Sequence, residues 1–247
     1  MCLRDSVIHD WATVGLCELA SANVVGYQEV SLRSGLKAVG ASFATIGAEG
    51  CKLTQIKPAG FNTSAGAVSI QILDNYGQTT TTYSYYKGGR GAYATEGWYN
   101  GTTRITADND ITFAPGTGLW MKGADGYTFT TSGEVLFDDV TCQLRSGLIM
   151  LANPYPMDVK LTNLKPAGFN TSAGAVSIQI LDNYGQTTTT YSYYKGGRGA
   201  YATEGWYNGT TRITADNDVT FVSGDGLWVK GADGYTLTFS LNSETAE

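Results

Sequence analysis

Six aromatic side chains, Tyr83, Tyr85, Tyr86, Tyr93, Trp98 and Tyr99, fall close together in this 247-residue chain, and the same block returns as Tyr191, Tyr193, Tyr194, Tyr201, Trp206 and Tyr207. Exposed Tyr and Trp rings stack on the apolar faces of sugars and anchor protein contacts. Tyr83, Tyr85, Trp98 and Tyr99, with Tyr191, Tyr193, Trp206 and Tyr207, are therefore the candidate ligand or partner contacts, and two copies would add avidity on a polymer. The same rings also make cross-strand pairs and core plugs. Strand alternation turns some of them inward, and a Gly-Trp-Tyr run in a short strand points Trp98 and Trp206 to the core.

Other chemistry is sparse. The single histidine, His9, lies in an unrepeated leader, so the repeated part has no Ser-His-Asp or Cys-His arrangement and no multi-histidine metal centre. Glu96, Asp108, Asp110 and Asp125 recur as Glu204, Asp216, Asp218 and Asp233, which leaves a two-carboxylate glycosidase formally open. Asp108-Asn109-Asp110 reads first as a solvated turn, so no catalytic residue is assigned. Asp108, Asp110, Asp216 and Asp218 are also the calcium candidates, because hard cations take oxygen ligands from loops. They lack the spaced ligands and terminal Glu of an EF-hand, and no metal or cofactor is expected. Gly88-Gly89-Arg90-Gly91 has no Lys-Ser/Thr and no following helix, which reads as a hairpin tip and not a phosphate loop. Cys2, Cys17, Cys51 and Cys142 show no C-x-x-C spacing and read as unrelated thiols, with a Cys2–Cys17 pair left open.

The elements that carry these residues are written twice. Leu53–Thr130 recurs at Leu161–Thr238 with an offset of 108, and every residue from Lys57 to Asp110 is identical to its counterpart. Upstream, Leu32-Arg33-Ser34-Gly35-Leu36 matches Leu144-Arg145-Ser146-Gly147-Leu148 at an offset of 112, so the first copy carries four extra residues within Ala41–Cys51. Two modules follow, at about 21–134 and 135–247, behind a non-repeated extension at 1–20 that is expected to lie outside the first core and either to remain mobile or to add to a neighbouring subunit. Their short junction restricts relative motion. Repetition suits multivalent binding or regular assembly better than one catalytic centre.

Composition fits a folded β-rich protein: 42% hydrophobic, 15% charged, with 32 Gly and 16 Tyr. A net charge of −6 without a Lys/Arg cluster argues against a nucleic-acid partner. No run is long enough for an apolar membrane span, and Asp5, Asp10 and Glu18 interrupt any signal-peptide core in the leader. Export by another route, a non-native start or assembly inside a cell, as for a virion component, would each accommodate that leader.

Val68, Ile70 and Ile72 alternate with polar residues as in a half-buried strand, and Asp74-Asn75-Tyr76-Gly77 turns into a second strand at Thr79–Lys87. Further strands are expected at Asn23–Leu32, Leu36–Thr45, Gly97–Tyr99, Asp110–Phe113, Leu119–Lys122 and Gly126–Thr130. Each module thus reads as an all-β sandwich, or barrel, of about eight short strands.

Gly147-Leu148-Ile149-Met150-Leu151-Ala152-Asn153-Pro154-Tyr155-Pro156, followed by Val159-Lys160-Leu161, resembles the G-W-N-L-I-G-N-P-Y-P opening of tandem β-sandwich repeat modules in secreted and surface-exposed bacterial proteins. Tyr191–Tyr194, Gly205-Trp206-Tyr207 and Ser223–Lys230 look like the rest of such a module. Departures are the missing Trp-Asn after the first Gly, Ser223 where the first copy has Pro115, and Ala41-Ser42 in place of Asn-Pro. The resemblance implies a structural or adhesive role. The expectation is a non-enzymatic, self-assembling subunit of an extracellular filament, cell-surface layer or virion, with copies of itself or other surface or virion proteins as partners. The alternative is a carbohydrate-binding adhesin that uses the Tyr/Trp platform on glycans.

Overall fold

The computed structural model describes residues 25–40, 50–61, 66–74, 78–170, 174–182 and 186–241. The extension at 1–20 with His9, Cys2 and Cys17, the strand end at 41–45 and the turn at 75–77 lie outside the described residues.

The first repeat comprises β1 (Val25–Ser31), β2 (Gly35–Gly40), β3 (Cys51–Lys52), β4 (Lys57–Ala59), β5 (Val68–Leu73), β6 (Thr79–Tyr86), β7 (Gly97–Asn100), β8 (Thr103–Arg104), β9 (Thr112–Phe113), β10 (Gly118–Gly123) and β11 (Thr128–Glu134). The second comprises β12 (Val140–Gln143), β13 (Gly147–Ala152), β14 (Val159–Lys160), β15 (Leu164–Ala167), β16 (Val176–Leu181), β17 (Thr187–Tyr194), β18 (Gly205–Asn208), β19 (Thr211–Arg212), β20 (Thr220–Phe221), β21 (Gly226–Gly231) and β22 (Thr236–Phe239). The only helical pieces among the described residues are short 3-10 turns, such as Leu53–Gln55.

Each repeat is an all-β sandwich. A three-stranded antiparallel sheet, β1-β11-β4, faces a six-stranded one, β2-β10-β5-β6-β7-β8, and the β3-β9 pair closes one side; the second repeat repeats this order. Among the described residues the expected strands are present, and each repeat adds three short ones; in the first, β3, β4 and β8 are two or three residues long and too short to show a period. Pro58 sits in β4, the edge of its sheet, where a missing N–H costs no ladder bond.

The alternating strand is where the pattern places it. Val68 and Ile70 are fully buried in β5, paired with Tyr85 and Tyr83 of β6, and the hairpin is closed by the Asp74 and Gln78 backbones at 2.8 Å. Leu53, Ile56, Val68, Ile70, Trp98, Leu119, Met121 and Phe129 fill the space between the two sheets. Leu161, Leu164, Val176, Ile178, Trp206, Leu227, Val229 and Leu237 form a separate core in the second repeat.

Side-chain pattern does not announce how the repeats meet. The β2/β10 margin of one six-stranded sheet lies against the β13/β21 margin of the other. Equivalent bonds cross in both directions: Gly40 N–H to the Gly224 carbonyl at 3.0 Å, and Ala152 N–H to the Gly116 carbonyl at 2.9 Å. Val39 bridges Asp225 just as Leu151 bridges Thr117. Trp120 and Trp228, which occupy the same position in the two copies, stack on each other at 6.4 Å. The repeats are therefore related by an approximate two-fold axis, the isologous geometry of a symmetric dimer, within one chain.

Candidate functional site

Most of the aromatic block points inward. Trp98 and Trp206 are each 2% exposed, and each indole N–H donates at 2.8 Å to a main-chain carbonyl, of Ile56 and Leu164 respectively. That bond satisfies the one polar group such a ring carries into a core. Tyr85 and Tyr193 pack edge-on against them at 5.2 Å. Tyr99 and Tyr207 are equally buried and donate at 2.7 Å to Thr95 and Thr203 carbonyls. Six of the eight candidate contact residues, Tyr85, Trp98, Tyr99, Tyr193, Trp206 and Tyr207, are thus buried, because two sheets this small need large rings to fill the space between them, although Tyr85 and Trp98 also line a cavity of about 660 Å³ with Glu96 and Arg104. Tyr83 and Tyr191 are half-buried; Tyr83 packs on the first core, and Tyr191 also lines a cavity between the repeats.

Two tyrosines outside that set form the more exposed cluster. Tyr86 stacks on Tyr93 with ring centres 3.8 Å apart and planes 6° from parallel, and Tyr99 meets both edge-on. Tyr194, Tyr201 and Tyr207 repeat the arrangement. Strand alternation separates Tyr86 from Tyr85, but nothing in spacing shows that the Gly88–Gly91 loop folds Tyr93 back onto it.

The carboxylates are engaged in local structure. Glu96 accepts bonds from the Lys87 ammonium at 3.0 Å and the Tyr85 hydroxyl at 3.1 Å. Lys87 first, and then Tyr85, hold its carboxyl below the ordinary range against the opposing effect of burial, as Lys195 and Tyr193 do for Glu204. A glycosidase general acid needs the opposite shift. Burial, with Glu96 adding to it, pushes the Tyr85 hydroxyl up to about 12, so it stays a donor at neutral pH.

The Asp-Asn-Asp turns are self-satisfied. Asp110 accepts the Thr54 hydroxyl and amide and the Ile111 amide, which ties the turn to the 3-10 segment Leu53–Gln55; Asp218 does the same with Thr162 and Val219. Asn109 accepts the Thr106 amide at 2.6 Å and donates to the Arg104 carbonyl at 3.0 Å. Asp108 and Asp216 are exposed. Among the described residues no three His, Cys, Asp or Glu side chains gather as a metal site, so the calcium candidates do not converge. Cys51 and Cys142 are free and buried, and burial raises their thiols to about 12 and about 11, out of reach of a nucleophilic thiolate.

Asn153-Pro154-Tyr155-Pro156 is a corner that ties three segments together. Asn153 donates to the Met157 and Phe221 carbonyls at 2.8 and 3.1 Å and accepts the Tyr155 amide at 3.0 Å. The Tyr155 hydroxyl, on a fully buried side chain, lies 2.8 Å from the Phe239 carbonyl and 2.9 Å from that of Asp138, and accepts the Val140 amide at 3.2 Å. Tyr155→Phe leaves these backbone groups without a partner and is expected to destabilise the second repeat by about 1–3 kcal/mol, measured by denaturant unfolding. An unchanged midpoint would show that the corner is held by packing alone.

Among the described residues no helix is long and apolar enough to cross a membrane. Comparison of the chain with protein-family models, with curated proteins and with solved structures finds no match.

Proposed function

We propose that the protein is a non-enzymatic structural subunit, exposed outside the cell or on its surface, that builds a filament, a surface layer or a virion from copies of itself. The observation that carries this reading is the approximate two-fold pairing of the repeats. The β2/β10 margin of a module accepts a near copy of itself, and because the chain's own second repeat fills it, growth beyond one chain goes through exchange of repeats between chains. The five residues 135–139 that join β11 to β12 make exchange of modules between chains a short step, since a swapped pairing reuses the same contacts. The sequence resemblance to repeat modules of secreted and surface-exposed bacterial proteins points the same way. The lowered Glu96 and Glu204 carboxyls and the buried thiols give no support to a catalytic role.

One observation favours a second reading as a carbohydrate-binding adhesin: the Tyr86–Tyr93 and Tyr194–Tyr201 stacks offer the same half-exposed aromatic pair twice. Sedimentation velocity over a hundredfold range of concentration, with no ligand added, separates the two. The structural reading expects species larger than one chain to grow with concentration. A single monomeric species throughout, with a shift only on adding glycan, favours the adhesin.

A further inference from the structure

Two cavities flank the junction between the repeats and are related by its approximate two-fold axis. Their backbones are the same and their walls are not. In the larger, of about 350 Å³, Arg33, Lys37 and Asp225 face one another across the junction. In its twin, of about 260 Å³, the equivalent positions are Arg145, Ile149 and Thr117. The walls diverge in a cation and a carboxylate, Lys37 and Asp225, where the other has a hydrocarbon and a hydroxyl, and in Ala38, where the other has the larger Met150.

The twin serves as an internal control. It closes the same joint, with Arg145 reaching the Leu73 carbonyl at 3.5 Å as Arg33 reaches that of Asp182 at 3.3 Å, and it does so without charged counterparts of Lys37 and Asp225. Holding the pair at the joint has a cost. Burial lowers the affinity of Lys37 for its proton and raises that of Asp225, each partly offset by the opposite charge of the other. Charges that cost desolvation and are not required for closure call for another use.

Their bonding leaves capacity. The Lys37 ammonium donates to the Ser31 carbonyl at 3.0 Å, and one Asp225 oxygen accepts the Val222 amide at 3.2 Å. The buried Nε of Arg33 has no protein acceptor, as is true of Arg145 in the twin, so what sets this cavity apart is the Lys37–Asp225 pair. The other acid on the wall, Asp182, accepts the Gln186 amide at 2.9 Å, as Asp74 accepts that of Gln78 in the twin, so it belongs to the hairpin. Arg33 and Lys37 therefore face Asp225, with the hairpin's Asp182 and Tyr191 also on the wall, in a volume at the lower end of small-molecule pockets.

We propose that the Arg33–Lys37–Asp225 cavity binds a small hydroxylated carboxylate of the size of one sugar acid. Its carboxylate rests on Arg33 and Lys37, and a hydroxyl donates to Asp225. The site joins the two repeats and does not depend on whether chains assemble.

Isothermal calorimetry on the full chain tests it, with D-glucuronate and D-galacturonate as probes and D-glucose and acetate as comparators. At least one uronate is expected to bind with a millimolar or lower Kd, and both comparators more weakly. The variant carrying Lys37→Ile and Asp225→Thr, the residues that the twin already accommodates, is expected to keep its melting transition and lose at least about tenfold in uronate affinity. Lys37→Met alone, a smaller change in shape, is expected to lose affinity in the same direction. Absence of uronate binding to the unaltered chain, equal binding of glucose, or binding untouched by these substitutions would overturn the assignment. Sedimentation of the same variants shows whether assembly survives, so loss of the ligand site and failure of the assembly reading are told apart.

Discussion

Trp98→Ala and Trp206→Ala are each expected to remove about 3–5 kcal/mol from the repeat that carries them, the largest effect of any single truncation proposed for this chain. Each indole is 2% exposed, touches a Tyr ring edge-on, and satisfies a main-chain carbonyl that would otherwise be left bare. Ala leaves both a cavity and an unpaired buried carbonyl. The two cores share no residue, so the losses should add in the double variant and lower the melting temperature by several degrees for each repeat. Calorimetric melting measures this directly. A double variant that melts normally but no longer binds a polysaccharide array would instead give these rings to a glycan and restore the adhesin reading.

Gly226→Ala is expected to open the joint between the repeats while leaving both cores folded. A Cβ at this position would stand 2.6 Å from the Ala38 carbonyl carbon and 2.7 Å from the Val39 nitrogen. Those are backbone atoms of the opposite repeat, with no flexible side chain to yield, so overpacking of about 1–3 kcal/mol falls on the interface. Gly118, its counterpart, meets the Leu151 carbonyl and the Met150 side chain in the same way. The expected result is a larger radius of gyration in small-angle scattering and a red shift of Trp120 and Trp228 fluorescence, with β-type circular dichroism unchanged. An unchanged radius and emission would mean that the junction absorbs the methyl group and that the joint is looser than its bonds indicate.

These two predictions mark what was and was not legible in the chain. Val68, Ile70 and Ile72 gave a strand by their period, and Gly97-Trp98-Tyr99 gave a buried ring by its composition, because both signals are local. The strands β3, β4 and β8 were missed since two or three residues carry no period, and β4 was further disguised by Pro58. The joint left no local trace at all. Gly118 and Gly226 lie in strands and are small because another backbone passes close by. Trp120 and Trp228 face each other across the axis, which no local pattern shows. The aromatic block illustrates the same limit from the other side. Counting rings located the cluster but could not tell the interior Tyr85 and Tyr99 from the half-exposed Tyr86 and Tyr93, which depend on how a glycine-rich loop folds back. The difference between Lys37 with Asp225 and Ile149 with Thr117 was visible as letters, and acquired meaning only when both pairs were placed on one two-fold axis.

Electron microscopy of the purified chain, imaged from dilute to concentrated solution without added ligand, tests the central claim most directly. A subunit whose repeats are self-complementary should give ordered oligomers, filaments or sheets with a repeat distance set by one two-module block, increasing with concentration. Monodisperse particles of single-chain size at every concentration would contradict the structural account.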